Sequence, residues 1–79
     1  MNHTIDLHGL THKEAISKVE GELIGISMSN YWEVEIITGK SGDMKNKICK
    51  EVLDPFNFFY YVPTNNPGVI IVLQDNFPS

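Results

Sequence analysis

Asp6 and His8, in the stretch Thr4-Ile5-Asp6-Leu7-His8-Gly9, are a carboxylate and an imidazole separated by one apolar residue. Alternate side chains of an extended chain share a face, so the two would project together, roughly 7 Å apart along a strand. That spacing lets both address one phosphate. His8 can take or give a proton in phosphodiester hydrolysis, while Asp6 orients the imidazole or holds a divalent cation such as Mg2+ or Mn2+ that offsets phosphate charge. The plainer alternative is that Asp6 accepts hydrogen bonds from N–H groups of the following loop and His8 packs against the turn. Residue types and spacing leave both open.

A second candidate lies in Thr38-Gly39-Lys40-Ser41-Gly42. Gly39-Lys40-Ser41 copies the end of a P-loop, but the first glycine of that motif would fall at Val34, inside a strand pattern. Too few N–H groups remain to wrap a triphosphate, so no nucleoside triphosphate is expected here. Lys40 and the N–H groups of Ser41 and Gly42 still suit one backbone phosphate. Glycines present only to give the turn its positive φ are the alternative. A G-x-x-G clamp of the KH type would link two helices, and this turn follows a strand. Lys45, Lys47 and Lys50 come next. Lysines 45 and 47, with Gly9, Thr38, Gly39, Lys40, Ser41 and Gly42, form the expected phosphate-binding set; a solvated helix face explains the helical lysines too.

These motifs must be positioned by few elements, because 79 residues make one small domain, residues 1–79. Residues 4–8 alternate as a strand with one buried side, ended by Gly9. Thr11 stands three residues before Glu14, a capping-box spacing, and Ala15, Ile16, Val19, Leu23 and Ile26 form a helical stripe running to about residue 28. Glu14 and Lys18 are ordered for an i,i+4 pair. Residues 32–38 are a second strand, and a second helix is expected from Asp43 as N-cap, burying Met44, Ile48, Cys49 and Val52 before Pro55. Residues 58–62 and 69–73 read as strands paired antiparallel across Pro63-Thr64-Asn65-Asn66-Pro67-Gly68. The fold class is α/β, an α+β sandwich in the order β-α-β-α-β-β: a mixed four-stranded sheet with two helices on one face. Residues 1–2 and the tail from residue 75 are expected to be loose.

The net charge is −4 and all six basic residues are lysine, so bidentate arginine contacts to base edges are unavailable and sequence-specific DNA readout is not expected. The charge is uneven. Before residue 40, Lys13 and Lys18 face six acidic residues; from 40 to 54, Lys40, Lys45, Lys47 and Lys50 face Asp43, Glu51 and Asp54. Cys49 is the single cysteine, which excludes an internal disulfide and a multi-cysteine zinc site. His8 and His12 are four apart but Gly9 and the Thr11 cap separate them, so they do not share a helix face as paired zinc ligands do. Asp6 with Glu35 would make at most a weak site for a hard cation. No signal peptide and no long apolar run is recognised, which predicts a cytoplasmic protein with no membrane partner. In the cluster Phe56, Phe58, Phe59, Tyr60 and Tyr61, alternate members are expected in the core, although aromatic rings can also stack on unpaired bases.

Two motifs thus occupy matching strand-to-helix junctions: Ile5-Asp6-Leu7-His8-Gly9 with Glu14-Ala15, and Thr38-Gly39-Lys40-Ser41-Gly42. With the closing Gly68-Val69-Ile70-Ile71-Val72-Leu73, they resemble the Smr domain, the small MutS-related module, over nearly the whole chain. Ile5 stands in the usual first Leu position, and Ser41 replaces the second glycine of the family's second motif, with a glycine following at Gly42. The resemblance implies nucleic-acid binding, with nicking endonuclease or ribonuclease activity in many members, and a fold similar to the C-terminal domain of bacterial initiation factor three. It carries Asp6 and His8 as catalytic candidates and DNA or RNA backbone as the partner. A non-catalytic nucleic-acid-binding adaptor of the same fold is the alternative. A protein-interaction domain that meets a basic partner through Glu20, Glu22, Glu33 and Glu35 is a third.

Overall fold

A central sheet is dictated by three β-branched runs, and a computed structural model describes it within residues 2–28, 32–39 and 42–73. The elements are β1 (Asn2–Asp6), α1 (His12–Ile26), β2 (Glu33–Ile37), α2 (Gly42–Ile48) continued by a π-helical stretch (Cys49–Leu53), β3 (Phe59–Tyr61) and β4 (Val69–Leu73). The strands stand in the order β1-β2-β4-β3, with β1 and β2 parallel and the other pairs antiparallel. The expected mixed sheet carrying two helices is therefore present. No helix among the described residues is long and apolar enough to cross a membrane.

Register explains the burial. Ile5 lies beside Ile36 and Ile36 beside Ile70, while Val34 pairs with Val72 and Val72 with Tyr60. These rows form the covered face, where Ile5, Val34, Ile36, Ile70 and Val72 are buried with Ala15, Val19 and Leu23 of α1 and Met44, Ile48, Val52 and Leu53 of the second helix. On the opposite face Thr4, Glu35, Ile71 and Tyr61 form one row, with Glu33, Leu73 and Phe59 in the next. Phe58 and Tyr60 are half-buried against the core and Phe59 and Tyr61 are exposed, the alternation expected of the aromatic run. Phe56 is exposed, its ring 6.3 Å from that of Phe58.

Several boundaries differ from expectation for identifiable reasons. Asn2 belongs to β1 through pairing with Glu33, so it is not a loose end. His8 lies outside the strand, because β1 ends at Asp6 and a turn follows. Thr11 caps α1 with both bonds of a capping box, and the Thr11 backbone N–H holds the Glu14 carboxyl below its usual range. Glu14 being so engaged, Lys18 pairs with Glu22 instead, at 4.0 Å. The helix ends at Ile26, where the Ser27 N–H bonds Leu23 and its hydroxyl bonds the Ile24 carbonyl. Asp43 does not precede the second helix as its N-cap; α2 already includes Gly42, which places Asp43 in the first turn. Strands β2 and β3 are shorter than expected at both ends.

Beyond Ile48 the helix widens to i→i+5 bonding, with Asp54 N–H donating to the Cys49 carbonyl at 2.8 Å. Five residues per bonded turn bring Leu53 round beneath Ile48, and Leu53 is fully buried whereas Cys49 is half-buried. Burial pushes the Cys49 thiol up. The Tyr60 hydroxyl donates to Asp54 at 2.9 Å, which ties β3 to the end of the helix and, with burial, pushes the phenol up to about 12. Residue 1 and the tail from residue 75, together with Lys40 and Ser41, lie outside the described residues.

Candidate nucleic-acid interface

The first motif folds as a tight turn. Leu7 continues the sheet through its N–H, which donates to the Ile37 carbonyl at 3.1 Å, and its side chain is buried. Leu10 N–H then closes back on the Leu7 carbonyl at 3.1 Å. Gly9, third of these four residues, has φ +79, the positive angle that a type II turn requires at this place. Asp6 stabilises the turn from outside: its Oδ1 accepts the His8 backbone N–H at 2.9 Å. The carboxylate thus bonds the loop that carries the imidazole and not the imidazole itself. His8 is exposed, and among the described residues its ring has no hydrogen-bond partner.

The second motif is anchored by a residue that sequence reasoning did not single out. The Gly68 carbonyl accepts three bonds, from Thr38 N–H at 2.9 Å, Gly39 N–H at 3.0 Å and the Thr38 hydroxyl at 3.1 Å. Thr38 is buried by this arrangement, and Gly39 takes φ +71 to turn the chain towards α2. The approach is close: a Cβ at Gly68 would sit 3.0 Å from the Gly39 carbonyl oxygen. Thr38 and Gly39 therefore shape the turn with donors already committed. The turn sequence before Val69 had marked Gly68 as a loop glycine, but nothing local told which backbone it would meet.

The two turns come together around a cleft of about 360 Å³. One wall is Leu7, His8, Gly9 and Leu10; the other is Ile37, Thr38 and Gly39; Met44 and His12 complete it. Asp6 does not line the cleft. His12 was considered in the sequence only as a zinc ligand; its place at the first position of α1, after the Gly9 turn, was the signal that it would face this junction. Lys47 lines a separate trough and forms an exposed ion pair with Glu51 at 3.7 Å, and Lys45 is half-buried on α2. Lys40 and Ser41, the other expected phosphate contacts, lie outside the described residues, while Gly42 opens α2.

Chemically the cleft offers an uncommitted imidazole, the Gly9 N–H, which has no partner among the described residues, and the start of a 15-residue helix, whose Thr11 cap takes only the Glu14 N–H. Such a set suits an anion and a proton transfer. Metal chemistry has less support: among the described residues no three His, Cys, Asp or Glu side chains gather as a cation site.

No curated protein and no solved structure matches the chain. The model of one family does, over residues 5–55, from near the end of β1 to just past the second helix. That span contains both motifs and every residue that lines the cleft. The chain belongs to the Smr domain family, whose association is with nucleic acids.

Proposed function

We propose that the cleft between the two glycine turns binds the phosphate backbone of DNA or RNA, and that His8 is the proton-transfer residue of a phosphodiester cleavage there. The observation that carries this reading is the convergence of both motifs on one cleft with an unpartnered imidazole in its wall. A phosphate seated against the Gly9 N–H and the start of α1 would lie within reach of His8, which gives a proton to the leaving oxygen or takes one from the attacking water. Asp6 acts one step back, holding the His8 backbone in place through its 2.9 Å bond. No step is routed through a metal.

A second reading, binding without cleavage, is favoured by one specific observation: the Asp6 oxygen that would have oriented the imidazole is bonded to a backbone N–H. Incubation with supercoiled plasmid and with structured RNA separates the two readings. Wild type is expected to nick or cut one of them, and His8→Ala to lose roughly two to four orders of magnitude in rate with little change in affinity, because general acid–base help acts on the transition state. Binding by wild type with no cleavage of either substrate would establish the adaptor. Equal losses of affinity and rate in His8→Ala would make His8 a binding residue. A cytoplasmic location belongs to the same proposal.

A further inference from the structure

The cleft does not end at His12. A second trough of about 350 Å³ shares that residue; Glu51 lines it, together with Asp43, Asn46, Lys47 and Lys50 of the second helix. Their spacing of three, four and seven residues puts these side chains on one helical face, roughly 10 Å from first to last at 1.5 Å per residue. His12 is the one residue common to cleft and trough. We propose that this trough is a second nucleotide subsite, with His12 as the shared wall and Lys50 as its phosphate contact, so that the ligand is an unpaired strand spanning at least two consecutive nucleotides.

Charge assignments within the trough support the polarity. Lys47 is neutralised by Glu51 at 3.7 Å. Among the described residues the Lys50 and His12 side chains have neither a hydrogen bond nor an ion pair, and both residues are exposed. Their capacity for an anion is unspent. Asp43, at the opposite end of the face, repels phosphate but accepts hydrogen bonds, as does the Asn46 amide oxygen; sugar hydroxyls and base amino groups supply the donors. Lys47 and Glu51 offset one another, which leaves Lys50 as the cation at one end and Asp43 and Asn46 as acceptors at the other, a division that matches the two halves of a nucleotide and would be wasted on inorganic phosphate. Cleft and trough are each near the lower end of the volume range for small-ligand sites, suited to one unit of an extended strand and not to the side of a duplex.

The inference rests on the nucleic-acid reading of the cleft and is tested by length dependence. Fluorescence anisotropy would compare labelled mononucleotides, which fill one subsite only, with single-stranded octanucleotides, ribo and deoxyribo, binding to wild type, His12→Gln, Lys50→Ala and, as control, Lys18→Ala on the far part of α1. Wild type and the control are expected to bind the longer strand much more tightly. In His12→Gln and Lys50→Ala that gain should shrink by roughly tenfold, the worth of one charge-assisted contact. Both side chains are exposed, so the variants are expected to fold, and circular dichroism verifies it. An identical gain from lengthening in all four proteins would overturn the second subsite and leave the cleft reading standing. Failure of wild type to bind any strand at any length would overturn the cleft reading itself, and the subsite with it.

Discussion

At the scale of the residue, the site is held by backbone requirements that two glycines meet in different ways. Gly39 has φ +71 and open space where a Cβ would stand, so substitution there is a matter of backbone strain alone. Gly68 has no positive φ, and its constraint is the 3.0 Å approach to the Gly39 carbonyl. These causes predict opposite rankings. Gly39→Asn should cost less stability than Gly39→Ala despite its size, since Asn tolerates the left-handed region and Ala pays about 1–2 kcal/mol. At Gly68 size alone decides: Gly68→Ala should cost about 1–3 kcal/mol, and a larger residue more, as the three bonds to its carbonyl are pushed apart. Urea denaturation of the four variants checks both rankings, and Gly39→Asn as costly as Gly39→Ala would mean that the turn is not held at positive φ. The glycines of both motifs were legible in the sequence as turn formers. The partnership of Gly68 with Thr38 was not, because a bond spanning 30 residues leaves no local mark in either segment.

At the scale of the element, alternation and helical period revealed the sheet and α1 because each has one wet and one covered side. The second helix defeated the same reasoning at its end. A uniform 3.6-residue period places Cys49 on the apolar face with Ile48 and Val52; Cys49 does pack against the core but only half-buried, and the π-helical turn adds Leu53, which is fully buried. The sequence holds no residue that demands the wider turn; it arises where the chain must reach β3, with Tyr60 bonded to Asp54 and Phe58 N–H to the Leu53 carbonyl. The consequence is measurable. Leu53→Ala should destabilise by about 2–5 kcal/mol, the cost of emptying a fully buried leucine site, while Cys49→Ala should cost about 1 kcal/mol or less. Equal costs in urea denaturation would restore the regular helix. His8 is the element-scale lesson for the site: periodicity extended the strand through it, and the Gly9 turn released it two residues earlier, leaving its side chain at the cleft and its backbone bonded to Asp6.

At the scale of the whole molecule, a net charge of −4 has to coexist with a site for a polyanion. The fold separates part of that charge, although Asp43 and Glu51 stand among the lysines of the second helix. Glu33 and Glu35 lie with Phe59, Tyr61 and Ile71 on the face of the sheet away from the helices, while the cleft and the lysines of the second helix belong to the helical side. Net charge alone could not reveal this, although the switch from acidic to lysine-rich composition near residue 40 anticipated it. The division also supplies the most direct test of the central claim, that the two motif turns together form the nucleic-acid site. Amide chemical shifts of ¹⁵N-labelled protein, followed during titration with a single-stranded oligonucleotide at low salt, report every surface at once. The account predicts progressive shifts in the turn from Leu7 to His12 and in Ile37 to Gly39, fading as salt is added because phosphate contacts release counterions. Shifts confined to Glu33, Glu35, Phe59 and Tyr61 on the opposite face, or none at saturating oligonucleotide, would contradict it.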